Sequence, residues 1–216
     1  MIITIDGGDG CGKSTLAHMI AEHYNFTHIK KPIDDFLGVK KPDSVRASAS
    51  KLVQKVVYDI NKNEKVKVGF NNGLLLYYKN KLQDENAVID RGPLSCYLFN
   101  GSPITESTFD YFLRRGLNFD LNIFLKASNK TRLTRLAQRN NADPDLNDEK
   151  IGALSDNQDR ALAYATSRNL NVLVIDTDNK SPEEVFEIAR ERIDSMLAQK
   201  QNPSNMDSGA EMLDDE

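Results

Sequence analysis

The 216-residue chain has no tryptophan, two cysteines and three histidines. Two cysteines, Cys11 and Cys96, are too few for a disulfide framework, so a reducing, cytoplasmic setting is expected. His18, His23 and His28 lack metal-ligand spacing and argue against a zinc centre. No apolar run approaches the roughly 20 residues of a membrane span, so no membrane association is expected. The first charged residue is the acidic Asp6, where a secretory signal would carry basic residues. Basic excess is also missing: the net charge is −4. From Gln201 onward there are five acids and no Lys or Arg, so the rest of the chain carries +1. Neither part has the charge of a nucleic-acid binder. Residues 200–216 read as a disordered acidic tail, and residues 1–199 as one domain with a sizeable core.

Within that domain, short β-branched runs alternate with longer amphipathic stretches. Strands are expected at 2–6, 26–30, 86–90, 121–126 and 171–176. Helices are expected at 13–24, about 44–62, 70–83, 105–115, 130–140, 149–168 and 182–199. This alternation predicts an α/β fold with a five-stranded parallel sheet covered on both faces. The last helix has a clear start, with Ser181 as cap, Pro182 at the first helical position and Glu184 completing a capping box. Three strands end in acid, at Asp6, Asp90 and Asp176. Ligands of such sheets bind beyond the carboxyl ends of the strands, so some of these acids are expected to face a site.

The run "IDGGDGCGKST" follows the first strand and opens the first helix. Gly7-x-x-x-x-Gly12-Lys13-Ser14 is a P-loop pattern. Gly7, Gly8, Asp9, Gly10, Cys11 and Gly12 let the backbone N–H groups converge on phosphate, and the helix N-terminus adds positive potential. Lys13 reaches the β- and γ-phosphates, the Ser14 hydroxyl ligates Mg²⁺, and Thr15 continues the cradle. Cys11 reads as a small loop residue, or alternatively as a thiol activated by the helix N-terminus. In "AVIDR" (87–91), Asp90 is placed to hold Mg²⁺ with Ser14, and Arg91 points into the same cleft. Arg132, Arg135 and Arg139 recur at i, i+3 and i+7, which puts three guanidiniums on one helical face and Leu133 and Leu136 toward the core. The face is either solvated or part of a mobile lid spanning about 130–150, closing over triphosphate.

Together these segments resemble the thymidylate kinase and deoxynucleoside kinase group of P-loop phosphotransferases. The likeness covers most of residues 1–198, through "IDGGDGCGKST", "VIDRGPLS", "TRLTRLAQRN" and "DRALAYATSRNLNVLVIDTDNKSPEEV". It implies a P-loop NTPase fold, Mg-ATP as donor, a nucleoside or nucleoside monophosphate as acceptor, and a homodimer. It also implies ATP contacts from the P-loop and Arg132, and catalytic roles for Lys13, Arg91, Arg135 and Arg139.

The chain departs from these families after its second strand, in "KKPIDDF" (30–36). Pro32 and Phe36 fit the deoxynucleoside kinase pattern, but Lys31 stands where that pattern has its catalytic glutamate. A nucleoside hydroxyl benefits from a base, whereas a monophosphate needs positive charge. Lys30 and Lys31 therefore favour a monophosphate acceptor, as in thymidylate kinases. Asp34 or Asp35 would act as base in the alternative, a deoxynucleoside kinase. A second departure is "GFNN" (69–72), where Phe70 would stack on the base and Asn71 would bond its edge; the other reading is a helix start capped by Asn71 or Asn72. The acceptor residues are thus expected to be Lys31, Asp34, Phe36, Phe70, Asn71 and Arg91. A third function, an ATP-binding regulator without catalysis, draws on the acidic tail.

Overall fold

The computed structural model describes the backbone of residues 1–42, 44–138 and 148–201, and the side chains of these except 148–156 and 201. Arg139, most of the expected lid loop and the tail from residue 202 lie outside the described residues.

Five parallel strands form one sheet in the order β2-β3-β1-β4-β5. They are β1 (Ile2–Gly7), β2 (Thr27–Ile29), β3 (Ala87–Asp90), β4 (Leu121–Lys126) and β5 (Val172–Asp176). The expected strands are all present, each within one residue at either end. Period-two alternation sorts β1 between two cores. Ile3 and Ile5 pack with Leu16, Ile20, Ile123 and Ile193 on one face, and Ile2 packs with Ile29, Tyr78 and Ile89 on the other.

The helices are α1 (Lys13–Tyr24), α2 (Pro32–Phe36), α3 (Val45–Gln54), α4 (Glu64–Lys81), α5 (Pro93–Asn100), α6 (Glu106–Leu113), α7 (Asn129–Ala137), α8 (Asp148–Ser167) and α9 (Pro182–Gln201). The expected capping box at α9 forms: Ser181 N–H donates to Glu184 Oε2 at 2.7 Å, and Glu184 N–H to Ser181 Oγ at 3.2 Å. Three differences matter for the site. The stretch 44–62 is α3 followed by a π-helical turn, Lys55–Ile60, closed by Asn61 N–H to Val56 C=O. Helix α4 starts six residues before the expected position, capped by Asn63, so Asn71 and Asn72 are mid-helix and cap nothing. Helices α2 and α5 are additional, each with Pro at its first position. Among the described residues no helix is long and apolar enough to cross a membrane.

Asp6 occupies the buried junction of these elements. Its Oδ1 accepts the N–H groups of Gly92 (2.9 Å) and Ser95 (2.6 Å), capping α5 from a different strand. Its Oδ2 lies 2.9 Å from Thr4 Oγ1, which lies 2.9 Å from Asn122 Oδ1. Asn122 Nδ2 donates to Asn171 C=O, so Oδ1 is the atom left facing Thr4. A hydroxyl has one hydrogen and cannot donate to both oxygens. A proton on Asp6 resolves the conflict, with Asp6 donating to Thr4 and Thr4 to Asn122. Burial pushes the Asp6 carboxyl above its ordinary range, against the pull of its hydrogen bonds to Ser95, Thr4 and Gly92, in the direction this arrangement needs.

Asp6→Asn mimics the protonated acid and is expected to stay within about 1 kcal/mol of wild type, whereas Asp6→Ala orphans two amides and is expected to lose about 3 kcal/mol. A carboxyl raised on folding contributes stability at low pH that is lost as the pH rises through its folded pKa. Guanidinium unfolding between about pH 4 and pH 8 should therefore show wild type falling relative to Asp6→Asn as the pH rises. Equal stability of Asp6→Ala and wild type would refute this role.

Candidate functional site

The site lies beyond the carboxyl ends of β1 and β3, which pair with Ile5 opposite Asp90. The loop after β1 runs directly into α1. Gly12 has φ +95° and provides no side-chain cap, and α1 has no acid in its first turn. The amides at the start of α1 thus lack the usual capping partners and form a ready anion site. Lys13 is buried, with Nζ donating to Gly8 C=O at 2.7 Å and lying 3.8 Å from Asp9. Burial and the neighbouring Arg91 charge lower the Lys13 pKa to about 8, although Asp9, Cys11 and Asp90 pull the other way.

Asp9 accepts from Arg91 at 2.7 Å. Burial alone would raise the Asp9 carboxyl, but Arg91 and Lys13 together hold it below its ordinary range. Arg91 has φ +77°, a left-handed conformation costly for a side chain of this size. Its N–H donates to Ile5 C=O at 3.0 Å, and its guanidinium stands 5.5 Å from the Phe99 ring centre. The Ser14 hydroxyl donates to Asp90 Oδ2, while Asp90 Oδ1 is buried with no hydrogen-bond partner among the described residues. A hydroxyl beside an orphaned carboxylate oxygen is a donor set suited to Mg²⁺, a cation that prefers oxygen ligands.

Two cavities flank the loop. The first, of about 530 Å³, is lined near the strand ends by Asp9, Lys30, Lys31, Asp90 and Arg91. Its other wall carries Gln54, Tyr58, Phe70, Asn71 and Phe99. The second, of about 290 Å³, lies on the far side and includes Gly10, Cys11, Gly12, Thr15, Arg135, Thr177 and Lys180.

Several expected site residues sit differently. Asp34 accepts from Ser50 and pairs with Lys31 at 3.7 Å, Asp35 accepts from Tyr78 at 2.6 Å, and neither lines the first cavity. Phe36 is exposed, packs edge-on against Tyr77 at 5.1 Å and also stays outside it. Asn71 does line it, with Oδ1 accepting from Tyr58 at 2.6 Å and Nδ2 donating to Lys67 C=O at 2.9 Å. Of the three strand-end acids, Asp90 alone lines a cavity; Asp6 is buried and Asp176 accepts from Asp178 N–H. Cys11 is also buried, and burial raises its thiol pKa, the opposite of the shift an activated thiolate needs.

The arginine face of α7 is also corrected. Arg132 and Leu136 are four residues apart and share the buried face, while Leu133 is half-buried. Arg132 lies against the loop, with Nε donating to Asp9 C=O at 2.8 Å. Gly10 (φ +84°) sits against its backbone, where a Cβ would come within 2.8 Å of Arg132 C=O. Arg135 donates to Thr177 Oγ1 (2.9 Å) and C=O (2.8 Å), so it belongs to the second cavity and lies outside the first. Sequence reasoning missed Gln54, Tyr58, Phe99, Thr177 and Lys180 as cavity residues. Tyr58 and Phe99 are aromatics on helices, with no local pattern that separates them from core residues.

A family model described as deoxynucleoside kinase matches residues 3–198. A cytidylate kinase of Methanocaldococcus jannaschii is 26% identical over 205 residues, covering 91% of this chain and 99% of the relative. An adenylate kinase of Mesomycoplasma hyopneumoniae is 24% identical over 133 residues; the match covers 62% of this chain and 55%, about half, of that relative's length. Among solved structures, a deoxyadenosine kinase from M. mycoides, with dCMP and dCDP bound, aligns with a TM-score of 0.63 at 18% identity, covering 90% of this chain and 100% of that one. A thymidylate kinase from Candida albicans aligns at 0.61 and 15% identity, covering 91% and 92%. These two structures share the fold.

Phosphate binding beside Lys13 would stabilise its ammonium and raise a pKa now near 8. Nucleoside triphosphate binding at about pH 8.5 is therefore expected to take up a proton, with affinity falling as the pH climbs past 8. Calorimetry in buffers of different ionisation enthalpy reads this uptake directly. Lys13→Met should abolish it; an unchanged uptake would assign the proton elsewhere.

Proposed function

The chain belongs to the deoxynucleoside kinase family, and from that premise we propose that it moves the γ-phosphoryl of ATP to a nucleoside monophosphate. The observation that carries the acceptor class is the charge of the first cavity. Lys30, Lys31 and Arg91 line it against Asp9, which is paired with Arg91, and Asp90, which accepts from Ser14, while Asp34 and Asp35, the carboxylates closest in sequence to Lys31, are bonded to Ser50 and Tyr78 and turned from it. Cations stabilise an acceptor that is already an anion, whereas a hydroxyl acceptor is activated by a base.

The donor's phosphates lie along the P-loop and the start of α1, and its base enters the second cavity. Lys13 and Arg91 stabilise charge on the group in transfer. Ser14 and Asp90 would hold Mg²⁺, which when bound neutralises phosphate charge. Asp9 orients Arg91 through their ion pair, so the cation stands at the junction of loop and cavity. Because Arg91 is fixed in a strained backbone conformation, its direction is set before substrate arrives.

A nucleoside kinase is the second reading, favoured by the family membership itself. It requires Asp9 or Asp90 as base. Asp9 is poorly suited, since Arg91 and Lys13 keep it ionised and weakly basic. A coupled ADP-release assay over 2′-deoxynucleosides and their 5′-monophosphates separates the two. The expected kcat/KM for the best monophosphate exceeds that of its nucleoside by at least about tenfold, and Lys31→Ala raises the monophosphate KM about tenfold with kcat within about threefold. Faster turnover of nucleosides, unaffected by Lys31→Ala, would establish the second reading. ATP binding with no acceptor-stimulated release would remove both.

A further inference from the structure

We infer that Gln54 reads the acceptor's base, as a hydrogen-bond acceptor aimed into the first cavity by a relay running from Asp34 through Ser50. The inference rests on the reading of this cavity as the acceptor site and deepens it. Gln54 is the last residue of α3 and lines the cavity wall opposite the strand ends. Its Nε2 donates to Ser50 Oγ at 3.0 Å, and Ser50 Oγ donates in turn to Asp34 Oδ1. The order of these bonds fixes the amide. Ser50 has one hydroxyl hydrogen, and the Asp34 carboxylate takes it. The Ser50 oxygen can then only accept, so the NH₂ end of Gln54 must face it. The carbonyl Oε1 is left on the other side of the amide, with no protein partner among the described residues.

Among the acceptors on this cavity, which also include Asn100 Oδ1 and Ser95 Oγ, the Gln54 oxygen is the one whose direction a side-chain relay fixes. Asn71, expected to bond the base, spends Oδ1 on the Tyr58 hydroxyl and Nδ2 on Lys67 C=O. The π-helical turn starts directly after Gln54 and carries Tyr58 on the same cavity wall. Phe70 and Phe99 supply the aromatic surface that a base needs beside a polar edge contact. An oxygen acceptor in that position selects a base edge that presents N–H: the amino group of cytosine or adenine, or the ring N–H of thymine or guanine. Asp34, which no longer qualifies as a general base, becomes a positioning residue for base recognition.

Calorimetric binding of the four common 2′-deoxynucleoside monophosphates to the full chain, independent of turnover, tests this. The tightest-binding base is then compared with its analogue in which every hydrogen of that pairing-edge donor is replaced by methyl: N,N-dimethyl for an amino group, N-methyl for a ring N–H. Wild type is expected to lose at least about tenfold in affinity on methylation, Gln54→Leu less than about threefold, and Ser50→Ala, which frees the amide to rotate, an intermediate amount. Gln54 is only half-buried, so Gln54→Leu should keep the wild-type circular dichroism and melting temperature. The same methylation penalty in Gln54→Leu as in wild type, or no penalty in wild type, or no binding of any base, overturns the inference. Base-selective binding that Gln54→Leu erases, without turnover of any acceptor, would uphold Gln54 while refuting the phosphotransfer proposal.

Discussion

The carboxyl of Asp6, shut off from water at the end of β1, governs where everything in the site can stand. It binds the N–H groups of Gly92 and Ser95 at the start of α5, and Gly92 is the residue directly after Arg91. Arg91 is therefore caught between two fixed points: its own N–H on Ile5 C=O and the next N–H on Asp6. A left-handed arginine costs on the order of 1–2 kcal/mol. That cost is sustained because the bonds on either side determine the backbone path. The consequence is a cation projecting over the P-loop carboxylate Asp9, at the boundary between the P-loop and the first cavity. Asp6 never reaches a ligand, yet it sets the relation between the two halves of the site.

The P-loop needs a second support, because glycine-rich backbone has few side chains to hold it. Arg132 provides it from behind. In a trans peptide, C=O and N–H point in opposite directions. Binding Asp9 C=O to Arg132 therefore turns the Gly10 N–H away from α7. Arg135 does comparable work one turn along, tying α7 to Thr177 at the end of β5, which also contacts Cys11 C=O and Lys126 C=O. Guanidiniums that an i, i+3, i+7 spacing assigns to a solvent-facing lid thus include two that shape the cradle's underside. The spacing is compatible with either role. What decides between them is the register of Arg132 with Leu136, which takes Arg132 inward.

Those arginines mark the boundary of what the sequence reveals. The strands were legible because β-branched runs punctuated by polar segments report burial directly, and Gly12-Lys13-Ser14 was legible because backbone conformation and chemistry demand those residue types locally. The α9 capping box was legible for the same reason: all its partners lie within three residues. Helix α2 was hidden by its five-residue length, although Pro32 at its first position was a usable signal. The acceptor wall was the least legible. Phe36 fits the deoxynucleoside kinase pattern and Asp34 is a candidate base beside it in sequence, but Tyr78 and Ser50, distant in sequence, hold α2 so that both face elsewhere. Gln54 and Tyr58 enter the cavity only through the packing of α3 against α2 and of the π-helical turn against α4, which no local pattern encodes.

The hold on α2 bears on how acceptor chemistry is assigned within the fold. Tyr78, buried in the core, donates its one hydroxyl hydrogen to Asp35 at 2.6 Å, with its oxygen 3.0 Å from Pro32 C=O, so α2 is fixed to α4 independently of the P-loop. Lys31 caps the start of that short helix and lines the cavity, while its side chain remains largely exposed. Exchanging the residue at position 31 therefore alters the charge offered to an acceptor without disturbing either the core or the cradle. A cation there suits an anionic acceptor and a carboxylate suits a hydroxyl, with the same sheet, donor site and Arg91 in both cases. In the proposed reaction the acceptor's anion lies at the Lys31 and Arg91 end, and its base at the Gln54 and Phe70 end. In that proposal the gradient from charge to aromatic surface along one cavity orients the ligand, and the cations Lys30, Lys31 and Arg91 at one end set its acceptor class.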